Sequence, residues 1–241
     1  ILISVHITGP VIRLAREAGR VAEGDYEIEM AVTSRDELGY VANCFNDMTD
    51  GLRDREFIRS TFGRYVSKDV MNDILAGNIE LGGQKMELTV LFSDIRGFTS
   101  ISENMDPMAL VSLLNAYFDR MDRAISEAGG AINKYMGDGI LAIFGAPQSL
   151  DNSAEAAVVA ALNKQRYLAA FNRDQGTDLA IGVGIHTGAA VVGNIGSMER
   201  TEYTVIGDTV NLGSRVESLT KLYGEPVLIT DGTAAHLSTD R

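Results

Sequence analysis

The hydrophobic period of this chain changes once, near Lys85, and that change puts two architectures in one polypeptide. Ahead of it, apolar or small residues fall at Val11, Leu14, Ala18 and Val21, and again at Leu38, Val41, Phe45, Met48 and Leu52. The spacings alternate between three and four, which is a heptad seam, and each run covers only about two heptads. Such short runs do not sustain a long isolated coiled coil, so two short helices per subunit, packed in a bundle, is the expected arrangement. Behind Lys85, short apolar runs bounded by turn signals alternate with helical stripes, the pattern of an α+β domain.

Between the two seams lies an extended connector. Gly24 stops the first helix, Tyr26, Ile28 and Met30 alternate with acidic residues, and Ser34 or Asp36 can cap the second helix. Helix, connector and the run DELGYVANCFNDM together resemble a HAMP domain over about residues 3 to 54, with Pro10 and Glu37 at that family's proline and glutamate positions. The resemblance implies a dimeric four-helix relay that follows a membrane span in bacterial receptors. Residues 1–54 are therefore expected to hold the end of a transmembrane segment and the HAMP domain. The opening ILISVHI is too short to cross a bilayer, which takes roughly 20 residues, so membrane attachment is expected through an upstream transmembrane helix. The chain then reads as part of a longer protein, the cytoplasmic domain of a bacterial inner-membrane protein. Beyond the seams the sequence stays helix-compatible, with apolar contacts expected at Phe57, Ile58, Phe62, Val66, Val70, Ile74 and Leu75, so residues 55–79 read as a connecting helix. A dimerising hairpin without a signalling role would share the seam but has no need of the DELG run.

Composition narrows the partners. A net charge of −12 with no cluster of basic residues argues against a nucleic-acid or anionic-membrane surface as a partner. One cysteine, Cys44, excludes an internal disulfide and a cysteine-rich zinc site. Its neighbours Val41 and Phe45 suggest a small buried or half-buried residue rather than a reactive thiol.

After Lys85, MELTVLFSDI reads as a buried strand. DPMALVSLLNAYFDRMDRAISEAGG reads as a helix capped by Asp106, with Pro107 in its first turn, a stripe through Leu110, Leu114, Phe118, Met121 and Ile125, and a stop at Gly129 and Gly130. AINKY and ILAIF flank Met136-Gly137-Asp138-Gly139, a hairpin signal. An alanine-rich helix follows from about Asn152 to Asn172. In DLAIGVGIHTG, Leu179, Ile181, Val183 and Ile185 share one side of a strand, and glycines on the other permit close approach. The order is βαββαβ, a ferredoxin-like split-βαβ sheet, expected to carry its helices on one face. In that arrangement the end of the first strand lies beside the hairpin turn, which makes Asp94 and Asp138 neighbours.

Those two aspartates sit at the end or turn of apolar runs, where a carboxylate has no packing use. Oxygen ligands suit Mg²⁺, and a two-metal site needs carboxylates that converge. Around them, the short helix opened by FTS offers backbone amides near Gly97, Phe98 and Thr99 for phosphate oxygens. Lys134 is the one charge in INKYM. In TEYTVIGDTVNLGSRVESLT, a strand, a turn at Gly207-Asp208 and a helix, Asn211 and Arg215 are four apart and share a helical face, either an exposed polar stripe or a sugar- and phosphate-reaching pair. HTGAAVVGNIGS reads as a flexible, glycine-rich dimer arm or anion nest, and His186 as a hydrogen-bonded structural group.

VLFSDIRGFTS, NKYMGDG and EYTVIGDTVNLGSRVE, in that order, resemble the class III nucleotidyl cyclases, particularly bacterial adenylate cyclases, over about residues 60 to 241. The catalytic domain is set at residues 80–241, with the family's last strands, and a lysine that contacts the triphosphate, expected beyond Arg241. The resemblance implies that Asp94 and Asp138, with the carbonyl of Ile95, bind two Mg²⁺ or Mn²⁺ ions, and that the site forms between the subunits of a head-to-tail homodimer. It also implies that Lys134 and Thr204 face the base, Asn211 orients the ribose and Arg215 stabilises the triphosphate in the transition state. Lys134 can only donate and Thr204 can accept, a pair that suits adenine and hence ATP as substrate. A guanine site would want a carboxylate facing the base's donor edge. Guanylate cyclase and a catalytically inactive dimerisation module are the competing readings. A diguanylate cyclase would show a GGDEF-like turn where this chain reads YMGDGI. Rotation or register change in the HAMP bundle is expected to alter how the catalytic halves face each other.

Overall fold

The computed structural model describes residues 2–65, 82–197 and 201–238, and its contacts divide the chain into two compact units, Ile1–Met71 and Asn72–Arg241.

In the first unit, α1 (Leu2–Ala22) and α2 (Glu37–Tyr65) enclose an extended connector. Asp36 caps α2, its Oδ1 accepting from the amides of Leu38 at 3.0 Å and Gly39 at 3.3 Å. Asn46 holds the connector like a strand neighbour: its Oδ1 accepts from the Met30 amide at 2.8 Å and its Nδ2 donates to the Met30 carbonyl at 2.9 Å. Ile28 and Met30 are thereby buried against Val21, Ala42 and Phe45. The seam is covered only in part, because Val11 (47%), Val41 (40%) and Met48 (47%) remain exposed. Two expectations need correction. Ala18 faces outward while Glu17 is buried, its carboxylate held by Arg16 at 2.8 Å and Arg20 at 2.9 Å. Cys44 is exposed, since Ala42 and Phe45 take the inward positions of that turn. α2 continues unbroken to Tyr65; Val66, Val70, Ile74 and Leu75, and the side chain of Phe62, lie outside the described residues.

In the second unit the elements run β1 (Gly82–Ile95), α3 (Phe98–Asn104), α4 (Pro107–Ser126), β2 (Ala131–Met136), β3 (Gly139–Phe144), α5 (Ser153–Gln175), β4 (Ile181–Gly196), β5 (Thr201–Ile206), α6 (Asp208–Tyr223), β6 (Val227–Ile229) and α7 (Asp231–Ala234). The sheet order is β2-β3-β1-β4-β5, with β6 parallel to β4. Its first four strands keep the split-βαβ arrangement, and β5, α6 and β6 extend it. Asp106 caps α4 through the amides of Met108 and Ala109, as the sequence implied.

One face of the sheet, from Leu91, Ile140, Phe144, Val183 and Ile185, packs on Tyr117, Met121 and Ile125 of α4 and Ala157, Ala160 and Leu168 of α5. The expectation of helices on one face alone is corrected by α6, which lies on the other. Successive strand residues point to opposite faces, so Gly182, Gly184 and Gly188 turn away from the α4–α5 core. α6 occupies that side: a Cβ on Gly184 would collide with the Glu217 backbone, and one on Gly213 of α6 would come within 2.6 Å of Val90. The two glycines let a helix backbone lie directly on a strand.

HTGAAVVGNIGS is also corrected. It is no loop but the second half of β4, laddered to β1 as far as Gly82↔Asn194 and to β5 from Val191↔Ile206 to Gly196↔Thr201. Its ladder amides are engaged in the sheet, so an anion nest is not available there.

Candidate active site

The register of β1 with β3 places Ser93 opposite Ile140 and brings the hairpin turn beside the end of β1. Gly139 packs against that end, where a Cβ would stand 3.5 Å from Asp94 Oδ1. Asp138, in the turn after Gly137 (φ 67°), accepts the Ile95 amide on Oδ2 at 3.1 Å. The two carboxyl groups therefore converge, as the βαββαβ order implied. Burial, and then the adjoining Asp94, push the Asp138 carboxyl up to about 6. Two carboxylates sharing a corner disfavour double ionisation, and a cation would relieve that.

Positive groups already stand nearby. Lys221 of α6 reaches Asp94 Oδ2 at 3.3 Å. Arg96 donates to Thr220 and lies 3.8 Å from Glu217 Oε1. Glu217 is mostly buried, and its carboxyl is raised by that burial although Lys221 opposes the shift.

Beneath the carboxylates the core is polar where packing alone would make it apolar. Lys164 of α5 is fully buried, its Nζ 2.5 Å from Ser93 Oγ, and desolvation lowers its ammonium to about 7. Tyr117 is buried with its hydroxyl unpartnered among the described residues; burial, Asp138 and Asp94 all push its phenol pKa up and keep it neutral. The sequence reading passed over Lys164, Lys221 and Arg96. Lys164 had a signal, for it continues the apolar stripe of Ala157, Ala160, Ala161, Leu168 and Phe171 at helical spacing.

α3 begins at Phe98 behind Gly97, whose φ of 66° makes the turn, and no side chain caps the Phe98 end. Phe98 itself packs against the core.

Lys134 and Thr204 come together elsewhere. They sit on β2 and β5, the two outer strands of the five-strand path, which Asn133 links directly. Lys134 Nζ pairs with Glu202 Oε1 at 3.0 Å. Thr204 Oγ1 donates to Asn133 Oδ1 at 3.2 Å, and Asn133 Nδ2 donates to the Tyr203 carbonyl at 3.0 Å. Asn211 and Arg215 lie on the exposed face of α6, opposite Gly213, Val216, Glu217 and Thr220, and neither side chain bonds to another described residue. Asp94 sits opposite Gly182 at one end of β4, and Thr204 opposite Gly193 near the other. Among the described residues no hydrogen bond or ion pair joins Lys134, Thr204, Asn211 or Arg215 to Asp94 or Asp138.

No group of three or more His, Cys, Asp or Glu side chains converges on one point among the described residues. The Asp94–Asp138 corner nevertheless fits a hard divalent cation. Its donors are carboxylate oxygens in mutual contact, and Mg²⁺ takes one or two carboxylates with substrate phosphates.

His186 is hydrogen-bonded through Nδ1 to Thr230 Oγ1 at 2.8 Å, the structural role its context implied, and burial lowers its ring. Among the described residues no helix is long and apolar enough to cross a membrane.

Comparison with known proteins identifies the two domains. The model of the adenylate and guanylate cyclase catalytic domain matches residues 83–241, and the HAMP domain model matches residues 2–54. An adenylate cyclase of Anabaena cylindrica is 37% identical over 97% of this chain and 49% of its own length. An uncharacterised protein of Mycobacterium tuberculosis is 36% identical over 94% of this chain and 42% of its own. The chain thus spans about half the length of the curated relatives it matches. Among solved structures, the guanylyl cyclase Cya2 is 42% identical, covering 66% of this chain and 81% of that one with a TM-score of 0.61. The adenylyl cyclase CyaB from P. aeruginosa is 39% identical, with 64% and 82% covered and a TM-score of 0.59.

Proposed function

Because the chain belongs to the adenylate and guanylate cyclase catalytic-domain family and carries a HAMP domain ahead of it, we propose that it is an adenylate cyclase working as a homodimer under HAMP control. The reaction is attack of the ribose 3′-oxygen on the α-phosphorus of ATP. A P–O bond forms, the bond to the β-phosphate breaks, the 3′-hydroxyl proton passes to water, and 3′,5′-cyclic AMP and pyrophosphate leave.

Asp94 and Asp138 would hold Mg²⁺ or Mn²⁺, two ions in the family pattern, with the Ile95 carbonyl assisting. Bound there, the cations would acidify the 3′-hydroxyl and neutralise charge on the departing pyrophosphate. Lys221 would release Asp94 as this happens. The α3 start at Gly97, Phe98 and Thr99 would face phosphate. From the partner subunit, Lys134 and Thr204 would address the base, Asn211 would fix the ribose, and Arg215 would stabilise developing charge on the phosphates. Positioning and charge stabilisation carry most of the catalysis in phosphoryl transfer, so bound cations rather than a protein base would dominate.

The observation that carries the choice of ATP is the donor and acceptor set at the base-facing edge. Lys134 offers only donors and Thr204 an acceptor, matching adenine N1 and the 6-amino group. Guanylate cyclase is the second reading, favoured by the 42% identity to a guanylyl cyclase. Parallel turnover of ATP and GTP by the full-length protein decides between them. A higher kcat/KM with ATP supports the proposal, and a higher one with GTP overturns it. The HAMP unit is assigned as a relay, with the stimulus received by an upstream sensor and the membrane anchor supplied by an upstream helix.

A further inference from the structure

Asn133 lies where the β2–β3 register slips, between Ile132 and Lys134. A bulge leaves one residue out of the ladder and re-aims its side chain, and here that side chain bridges β2 to β5. The Tyr203 carbonyl can only accept, so the atom of Asn133 that faces it at 3.0 Å must be the amide nitrogen. The other end of the amide, facing Thr204 at 3.2 Å, is then the carbonyl oxygen, which also only accepts. The Thr204 proton is thereby committed to Asn133.

We propose that Asn133 is a specificity-determining positioning residue, which polarises the Thr204 hydroxyl so that it offers a base nothing but lone pairs. A freely rotating threonine hydroxyl donates or accepts as its neighbour requires, and serves the 6-amino group of adenine and the 6-oxygen of guanine alike. A hydroxyl whose proton is held by Asn133 serves the amino group and repels the oxygen. The inference rests on the reading that Thr204 faces the purine. It goes beyond that reading by placing the discrimination in a side chain that need not touch the nucleotide.

The test is a double-mutant cycle in the full-length protein, scored as the ratio of kcat/KM for ATP to that for GTP. Asn133→Ala lowers the ratio roughly 10-fold, within the range that buried polar groups discriminate. Adding Asn133→Ala to Thr204→Val leaves the ratio unchanged, because no hydroxyl remains to be polarised. Asn133→Asp keeps an acceptor toward Thr204 while giving up the donor to Tyr203; it retains the ratio although its melting temperature falls. This variant keeps the test decisive where Asn133→Ala folds poorly. Three results would overturn the inference: an unchanged ratio in Asn133→Ala, the same fall in Asn133→Ala whether or not Thr204 is present, or a ratio in Asn133→Asp that falls as far as in Asn133→Ala. Each would leave the choice of ATP standing. A wild-type protein that turns over GTP as well as ATP would sink both.

Discussion

The two ends of the long β1–β4 ladder handle polar groups in opposite ways. At the Asp94 end, charges crowd: two carboxyl groups share a corner, Lys221 and Arg96 lean in, and Lys164 is buried beneath with only Ser93 for a partner among the described residues. At the Thr204 end, groups are matched within the chain, hydroxyl to amide oxygen and amide to carbonyl, with one ion pair at Lys134. The first end holds unfavourable electrostatics that a cation would relieve, which suits the proposed chemistry. The second is fixed in polarity, which suits recognition. Among the described residues the two are not bonded to each other, which is compatible with the proposed site that draws one end from each protomer.

The largest break in this contrast comes from Asp94→Ala, which is expected to lower Mg²⁺-dependent cyclic AMP formation about 1,000-fold or more while sedimentation still reports the dimer. Retained turnover would remove the metal assignment. Next is Lys164→Met. Removing a buried cation without a carboxylate partner should raise the melting temperature by about 5 °C, the size expected for about 2 kcal/mol in a domain of this length. An unchanged or lower melting temperature would show that the Asp94 end is better compensated than its neighbours indicate.

The pH dependence of stability sharpens the same contrast. The folded-state pKa of Lys164, about 7, lies below its ordinary 10.5, so the unfolded chain binds the extra proton. Stability from this group is full above about 10.5 and is lost as pH falls through about 7. Asp138 has the opposite sign, its folded value of about 6 lying above the usual 3.8. Its contribution in the metal-free protein is full below about 4 and is lost as pH rises through about 6. Denaturant midpoints followed from pH 4 to 10 should lose the alkaline slope in Lys164→Met and the acidic one in Asp138→Asn. The smallest effect is expected from Glu202→Gln. Lys134 has three donors and gives one to Glu202, so removing that exposed pair should change the KM for ATP by no more than about 3-fold.

Much of this arrangement is legible in the sequence because it follows from short-range pattern. The period change at Lys85, the Asp106-Pro107 helix start and the hairpin at Gly137-Asp138 are local signals, and the convergence of Asp94 with Asp138 needs only the βαββαβ order. What escaped depends on partners far along the chain. Glycine and alanine in HTGAAVVGNIGS have weak strand preference, and the pairing with β1 and β5 overrides it. The glycines of β4 announced a close approach but not that α6 would make it. Cys44 needed the true inward face of α2, which the seam spacing misassigned by one position. Asn133 depends on a one-residue register slip, and nothing in the letters INKYM distinguishes it from an exposed asparagine.

In the proposed enzyme the Asp94 end of one protomer meets the Arg215 face of another. Asp94→Ala and Arg215→Ala protomers, each inactive alone, would be mixed in equal amounts and allowed to exchange. Random assortment makes about half the dimers mixed, each with one intact site of two, so about one quarter of wild-type cyclic AMP formation should return. A mixture no more active than its components, despite verified exchange, would mean that both sets of residues act within a single chain and would contradict the account.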